Sequence, residues 1–253
     1  MLTAIVPAGL IPLGDANPAR RTPWVTRLLV AINVAVFVFA QPWAGGACEQ
    51  QAFFLRWAVV PAELLQGQPL GPAQIDATTP AVCDLSPVVG KSVYAALLYS
   101  MFLHAGWLHL AGNMLYLLIF GNNVEDRLGH LGFAGFYLLG GSLATLAFVA
   151  PNAGSTTTLV GASGAIAAVL GAYLVLFPVA RVTVFLPPFF VFSLPALLVL
   201  GFWFVMQLSG ARVADMAGGG VAYLAHAAGF LVGVVLIVLL GGRSKTPRGR
   251  RRR

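Results

Sequence analysis

Charged residues are scarce in this chain of 253 residues. Only 9% of the positions are Asp, Glu, Lys or Arg, whereas soluble domains carry about 25%. Hydrophobic residues make up 58% of the chain, and the mean hydropathy is +0.85. This composition excludes an ordinary soluble domain. The length suits one helical membrane domain of about six spans.

The two ends of the chain differ in charge. Prolines interrupt the apolar stretch from Ala4 to Leu13, and no basic leader precedes it. We therefore expect residues 1–23 to be a cytoplasmic tail and not a cleaved signal peptide. Residues 242–253 form a basic tail with seven of the 15 basic side chains, so the remaining eight balance the eight acidic residues. A basic tail beside a membrane helix indicates topology and anionic lipid headgroups, so nucleic acid is not expected as a partner.

Apolar runs predict six membrane-spanning helices, and we expect an all-α integral membrane protein. The predicted spans are about 24–41, 95–121, 131–150, 163–178, 189–208 and 221–241. Short polar turns are predicted at 121–130 and 179–183, and a loop at 209–220. The segment 42–92 has six prolines and no long apolar run. It is predicted to hold a helix near Phe53–Leu65 whose aromatic face, with Phe53, Phe54, Trp57 and Leu64, lies at the membrane interface.

The basic residues predict the orientation. Six spans place both termini on one side, and with the N-terminus inside, twelve basic residues are cytoplasmic. Only Arg56, Lys91 and Arg212 then face outward. Because cytoplasmic loops are enriched in Lys and Arg, we expect both termini to be cytoplasmic and the loop 42–92 to be exoplasmic.

Cysteine is nearly absent. Cys48 and Cys83 are the two cysteines of the chain, and both fall in the exoplasmic loop. A disulfide between them is expected in an oxidising compartment. The alternative is two free thiols too far apart to be bridged.

The six predicted spans contain no Asp or Glu, which excludes a catalytic triad with a carboxylate inside the membrane. Ser163 lies between Gly161 and Gly164 and opens an apolar helix. Small neighbours make its hydroxyl approachable, and the free N–H groups at a helix start can face developing negative charge. The alternative is helix packing, since small residues let membrane helices approach closely.

A serine needs a base within hydrogen-bond reach to become nucleophilic. His226 lies, like Ser163, a few residues into a helix that enters from the outer face, so both are predicted roughly 5–10 Å below that surface. The two residues would form a Ser–His dyad. His109 and Asn113 are four residues apart and share a helix face. With the Ser163 backbone N–H they can form an oxyanion hole.

His104 lies five residues before His109 and points to another helix face. One prediction for His104 is that it caps a helix or packs at a helix interface. The other is that it helps to hydrate a water-filled cavity that opens to the outer face and reaches Ser163 and His226. The two histidines are wrongly spaced for a metal pair and no carboxylate joins them, so no metal and no cofactor are expected.

Taken together, these motifs resemble the rhomboid intramembrane serine proteases of the bacterial six-helix type. The resemblance covers about residues 22–241 and implies a six-span rhomboid-like membrane domain at 24–241. It implies that Ser163 is the nucleophile, His226 the general base, and His109 and Asn113 the oxyanion-stabilising residues. Structural support is implied for four glycines, of which the last two allow the sixth helix to pack closely on the fourth: Gly161, Gly164, Gly229 and Gly233.

By this resemblance, the protein is an endopeptidase of the cell inner membrane, surrounded by lipid, that cleaves transmembrane protein substrates near the outer face. Two departures from the family pattern are evident. Some members have an aromatic ring four residues after the nucleophile, where this chain has Ala167, so His226 must be held by another group. Many members have a Trp and an Arg before the second span, where this chain has Tyr94, Ala95 and Ala96.

Two other functions fit parts of this pattern. A catalytically silent rhomboid-like protein would bind or escort membrane proteins as a scaffold, and loss of Ser163 or His226 would favour it. A small transporter would need polar residues or broken helices at mid-membrane. The predicted polar cluster lies in the outer half of the membrane, which argues against transport.

Overall fold

The computed structural model describes residues 10–43, 45–76, 83, 85–216 and 221–242, and for 212–216 and 221–222 it describes the backbone only. Residues 1–9 of the predicted N-terminal tail and 243–253 of the basic tail lie outside this description. The elements in chain order are β1 (Ile11–Asp15), α1 (Trp24–Ala35), α2 (Ala47–Trp57), α3 (Pro61–Gln66), α4 (Pro72–Asp76), α5 (Ala96–Tyr99), α6 (Trp107–Tyr116), α7 (Asn122–Leu128), α8 (His130–Val149), α9 (Ser163–Leu176), β2 (Arg181–Leu186), β3 (Phe190–Pro195), α10 (Ala196–Met216) and α11 (Val221–Leu239).

Helix α9 is the centre of the molecule. Every residue from Ala165 to Tyr173 is buried, and α9 packs mainly against α11 and α8. A helix that is apolar all round is stable only when neighbours cover it on all sides. The largest apolar cluster is built around it, with Phe120 and Tyr137 among its fully buried rings.

The expectation of an all-α protein is wrong in one respect, because the chain contains a three-stranded antiparallel sheet in the order β1-β2-β3. Arg181 pairs with Pro195 and Leu186 with Phe190 across the β2–β3 hairpin. The predicted turn at 179–183 and the start of the fifth span at 189 are therefore incorrect. Hydropathy does not distinguish a short apolar strand from a helix. Here Pro195 delays the helix until Ala196, since proline is tolerated only at a helix start.

Strand β1 ties the N-terminal segment to the helices. It pairs with β2, as in Ile11 with Phe185. The Tyr173 hydroxyl donates a hydrogen bond to Asp15 Oδ2 at 2.5 Å, and the Asn123 amide donates to the same oxygen at 2.9 Å. Burial raises the pKa of Asp15, against the opposing effect of these hydrogen bonds. The segment is thus anchored beside the C-terminal end of α9.

The predicted second span is broken. Helix α5 and a 3₁₀ turn end at Phe102, and α6 begins at Trp107, with a bend of 94° between the two helical parts. The side chain of Gln41 bonds to both backbone groups of His104, the N–H at 3.0 Å and the C=O at 2.8 Å. These bonds replace the helical ones at the break. After α6, a π-helical turn at Leu117–Gly121 leads into α7. The predicted turn at 121–130 is therefore helical as far as Leu128.

The segment 42–92 folds into α2, α3 and α4, so the single helix predicted near Phe53–Leu65 is in fact two. Leu64 is buried in a cluster with Val59 and Phe148, and its predicted place at the membrane interface is incorrect. Lys91 forms a buried ion pair with Glu63 at 2.5 Å and also donates to two backbone carbonyls of the segment. Burial lowers the pKa of Lys91, and the carboxylate opposes that shift.

Helix α10 continues to Met216, so most of the loop predicted at 209–220 is helical. Within the described residues, one continuous helix has the length and apolar character needed to cross a membrane: α8 together with the 3₁₀ turn Ala150–Asn152 that follows it. The bent pair Ala96–Phe102 and Trp107–Leu128 would add a second span if it counts as one. The shorter apolar helices are Trp24–Ala40, Ser163–Leu176, Ala196–Ala211 and Tyr223–Leu239.

Candidate active site

Ser163 is the first residue of α9, so its backbone N–H is among those that a helix start leaves without an intrahelical partner. The chain reaches this position through Gly161, which has φ +125° and donates its N–H to the Ser100 carbonyl at 2.8 Å. A side chain is disfavoured at that φ. A Cβ atom at Gly161 would also lie only 2.8 Å from the His109 ring. Glycine at 161 therefore lets His109 approach the start of α9.

The imidazole of His109 presents Nε2 to the site. Its Nδ1 accepts a hydrogen bond from the Ala105 N–H at 3.3 Å, so the proton of the neutral ring is on Nε2. A Cβ atom at Gly161 would be 3.0 Å from this Nε2 and 3.5 Å from Ser163 Oγ. The serine oxygen and the ring N–H thus border the same point of the structure, where an N–H donor can stabilise an oxyanion.

Two further polar side chains are buried near His109. Asn113 lies one helical turn after His109, and neither atom of its amide has a hydrogen-bond partner in the described part of the chain. The ring of His104 is also buried, and its centroid is 5.2 Å from that of His109. Buried polar groups are normally hydrogen-bonded, so the Asn113 amide still has the capacity to donate a hydrogen bond.

A side chain of α10 contacts His226 of α11. His226 is 2% exposed, and its Nδ1 lies 3.0 Å from Oε1 of Gln207, which is fully buried. Its Nε2 is also buried, and it has no hydrogen-bond partner among the described residues. Ser163 and His226 are therefore not hydrogen-bonded to each other in this structure. Catalytic hydrogen bonds are often long in proteins without substrate.

Glycines bring α11 against α9. A Cβ atom at Gly229, one turn after His226, would lie 2.5 Å from the carbonyl oxygen of Gly164. At Gly233 it would overlap the backbone of Ala168. Because Gly164 adjoins Ser163 and Gly229 follows His226 by one turn, this contact places the two proposed dyad residues at the same level of the helix pair.

The segment 42–92, called the loop segment below, contacts the chain that leads to Ser163. Leu159 donates its N–H to the Val59 carbonyl at 2.8 Å, and Ala62 donates to the Ser155 carbonyl at 3.0 Å. Cys48 and Cys83 form a disulfide with a Cα–Cα distance of 5.3 Å. The disulfide therefore ties the start of α2 to the chain between α4 and α5.

Gln207 is a site residue that the sequence analysis missed. Its signal was available, because an amide side chain inside a strongly apolar span is unusual and typically has a function or a polar partner. Its partner was not evident, since Gln207 and His226 are 19 residues apart on different helices. No group of three or more His, Cys, Asp or Glu side chains in the described ranges is placed to hold a metal ion.

Three helices contribute to the site. Helix α9 begins with Ser163, α6 supplies the N–H donor of His109 beside it, and α11 carries His226, whose Nε2 has no partner among the described residues. The Rhomboid domain matches residues 91–243, a range that contains all of these residues. The chain belongs to the rhomboid family. This membership confirms the resemblance seen in the motifs. Rhomboids are helical membrane proteins and are generally intramembrane serine proteases.

The chain is also similar to individual rhomboid proteins. It is 30% identical to RHOMBOID-like protein 6, mitochondrial, of Arabidopsis thaliana over 165 residues, 60% of this chain and 51% of that protein. It is 32% identical to RHOMBOID-like protein 1 of the same plant over 160 residues, 60% and 39% respectively. Rhomboid protein 1, mitochondrial, of Saccharomyces cerevisiae is 33% identical over 150 residues, 54% and 39%. This rhomboid thus matches about half or less of the length of these relatives.

Proposed function

We propose that this rhomboid is an intramembrane serine endopeptidase that cleaves transmembrane protein substrates near the outer membrane face. In this proposal the six apolar segments cross a cell inner membrane, both termini are cytoplasmic, and the site opens to the extracytoplasmic side. The observation that carries it is the position of Ser163 Oγ and His109 Nε2 beside the same point at the free start of α9.

In this proposal each side chain of the site has one role. Ser163 Oγ attacks the substrate carbonyl while His226 Nε2 takes its proton, and His226 then gives that proton to the leaving amine as the acyl-enzyme forms. Water that gives a proton to His226 Nε2 attacks the acyl-enzyme, and the proton passes to Ser163 Oγ as the new carboxyl end leaves. The Ser163 N–H, His109 Nε2–H and the Asn113 amide donate to the oxyanion. The substrate helix must unwind locally, because its peptide bonds are otherwise shielded and hydrogen-bonded. We therefore expect small or helix-breaking residues near the cut.

The second candidate function is a catalytically silent scaffold that binds membrane proteins. The observation in its favour is that His226 Nε2 makes no hydrogen bond to Ser163 in the described part of the chain. In this case the hydroxyl of Ser163 would not be activated, and the protein would only bind a segment of its partner.

The deciding experiment is labelling of the purified full chain in detergent with a fluorophosphonate probe. We expect the wild type to be labelled and Ser163→Ala and His226→Ala to lose the label, because the reagent reacts only with an activated serine. Ser142→Ala is the matched control, since its hydroxyl bonds within α8 to the Leu138 carbonyl. An unlabelled wild type that also fails to cleave a generic transmembrane substrate in bilayers would favour the scaffold.

A further inference from the structure

The orientation of His226 is the unexplained feature of the site. In this chain the residue four positions after Ser163 is Ala167, whose methyl group packs against Gly229 and offers the imidazole neither a ring nor a hydrogen bond. A base is effective only when its ring is held in one tautomer and one direction. The holding group must therefore come from another element than α9.

Helix α10 contacts the face of α11 that carries His226. Trp203 packs against His226 and Phe230, with ring centroids 6.3 and 5.9 Å apart. A Cβ atom at Gly210 would lie 2.5 Å from the Tyr223 ring. Residues 203, 207 and 210 thus meet 230, 226 and 223 in antiparallel register. Gln207 is fixed at the level of His226 by apolar contacts above and below it.

The hydrogen bond determines which imidazole nitrogen carries the proton. Gln207 Oε1 only accepts hydrogen bonds, so the Nδ1 that lies 3.0 Å away must be the protonated nitrogen of the neutral ring. The lone pair is then on Nε2, the buried nitrogen that has no partner among the described residues. This is the tautomer that a base for Ser163 needs.

We propose that Gln207 is the positioning residue for His226, so that α10 and not α9 orients the base. The inference rests on the proposed function for its catalytic meaning. The tautomer itself is a property of the folded protein, and it can be measured whether or not the protein cleaves a substrate.

The first measurement is the ¹⁵N spectrum of full-length protein labelled at histidine, in detergent micelles. His226→Ala identifies the signals of His226 among those of the four histidines. We expect the neutral Nδ1-protonated tautomer in the wild type and in Gln207→Glu, which keeps an acceptor oxygen. Gln207→Met has similar length but no acceptor, and we expect it to give a mixture of tautomers. A wild-type His226 protonated on Nε2, or an unchanged tautomer in Gln207→Met, would overturn the proposal.

The second measurement is cleavage of a transmembrane substrate in bilayers. We expect Gln207→Met to lower kcat at least about tenfold with KM unchanged, because a base in the wrong tautomer is ineffective. Gln207→Glu should retain most of the wild-type kcat. Ser209→Ala is the control on α10, since its hydroxyl donates to the Val205 carbonyl of its own helix. A lower melting temperature of Gln207→Met with unchanged tautomer and kcat would reduce Gln207 to a packing residue. A Gln207-dependent tautomer in a wild type that neither labels nor cleaves would keep the inference and refute the protease.

Discussion

At the scale of single residues, the site depends on protons placed by weak neutral hydrogen bonds. His109 receives a backbone N–H on Nδ1 and His226 gives its Nδ1 proton to an amide oxygen. The two imidazoles are therefore opposite tautomers, one with a donor and one with an acceptor on Nε2. This division suits one ring to an oxyanion and the other to a serine hydroxyl.

The proposed oxyanion role of His109 and Asn113 predicts a kinetic effect. We expect His109→Ala and Asn113→Ala each to lower kcat by about 10²–10³, which corresponds to about 2.7–4 kcal/mol of transition-state stabilisation. Initial rates on a transmembrane substrate would measure this. Asn33→Ala is the control, because Asn33 is equally buried but bonds to the Leu29 carbonyl in α1. An equal loss of kcat in all three variants would show that these polar side chains matter for folding and not for the oxyanion.

At the scale of elements, close packing brings the helices that carry Ser163 and His226 into contact. Gly229 and Gly233 leave no room for a methyl group between α11 and the backbone of α9. Association of apolar helices in a membrane depends on such close contacts, since lipid is as apolar as the helix surface.

Gly233→Ala is accordingly expected to destabilise the protein by about 1–3 kcal/mol through overpacking. It should also slow fluorophosphonate labelling, because α11 and His226 are displaced from Ser163. Gly201→Ala in α10 is the matched control. No atom lies within 4 Å of the added methyl, and alanine is favoured in a helix by up to about 1 kcal/mol. Thermal unfolding in detergent compares the stability of the two variants. Equal melting temperatures of Gly233→Ala and Gly201→Ala would contradict the packing argument.

Sequence reasoning located the parts of the site that are encoded locally. The start of α9 at Ser163 follows from small residues before an apolar run, and His109 and Asn113 share a face because they are four residues apart. The contact between Gln207 and His226 joins two helices, and no local pattern contains it. The β2–β3 hairpin was not predicted: the start of β2 was interpreted as a turn, and β3 was interpreted as the start of the fifth span because a short apolar strand cannot be told from a helix by hydropathy.

At the scale of the whole molecule, the loop segment behaves as a small folded unit. It has its own apolar cluster, with Leu55, Leu70 and Ile75 among its members. The buried pair of Lys91 and Glu63 lies beside that cluster, and the disulfide closes a separation of 35 residues.

Loss of the disulfide is expected to destabilise this unit by about 4 kcal/mol, the loop-closure effect for a ring of this size. Trypsin provides the measurement, because Arg56 and Lys91 are the two basic residues within 42–92. We expect cleavage at the buried Lys91 to be much faster in Cys48→Ser/Cys83→Ser than in the oxidised wild type. The reduced wild type should match the double variant. Equal cleavage rates with and without the bridge would show that the apolar cluster alone holds the segment.

The N-terminal segment shows another long-range connection. Strand β1 is joined edge to edge with β2, and Asp15 is bonded to Tyr173 near the C-terminal end of α9. The Arg21 N–H also bonds to Asp126 in α7. A force applied to this tail, by a tethered domain or a bound protein, would be borne by the sheet and by the far end of the serine-bearing helix before it reached α1. The N-terminal segment can thus transmit force to α9 at the end opposite to Ser163.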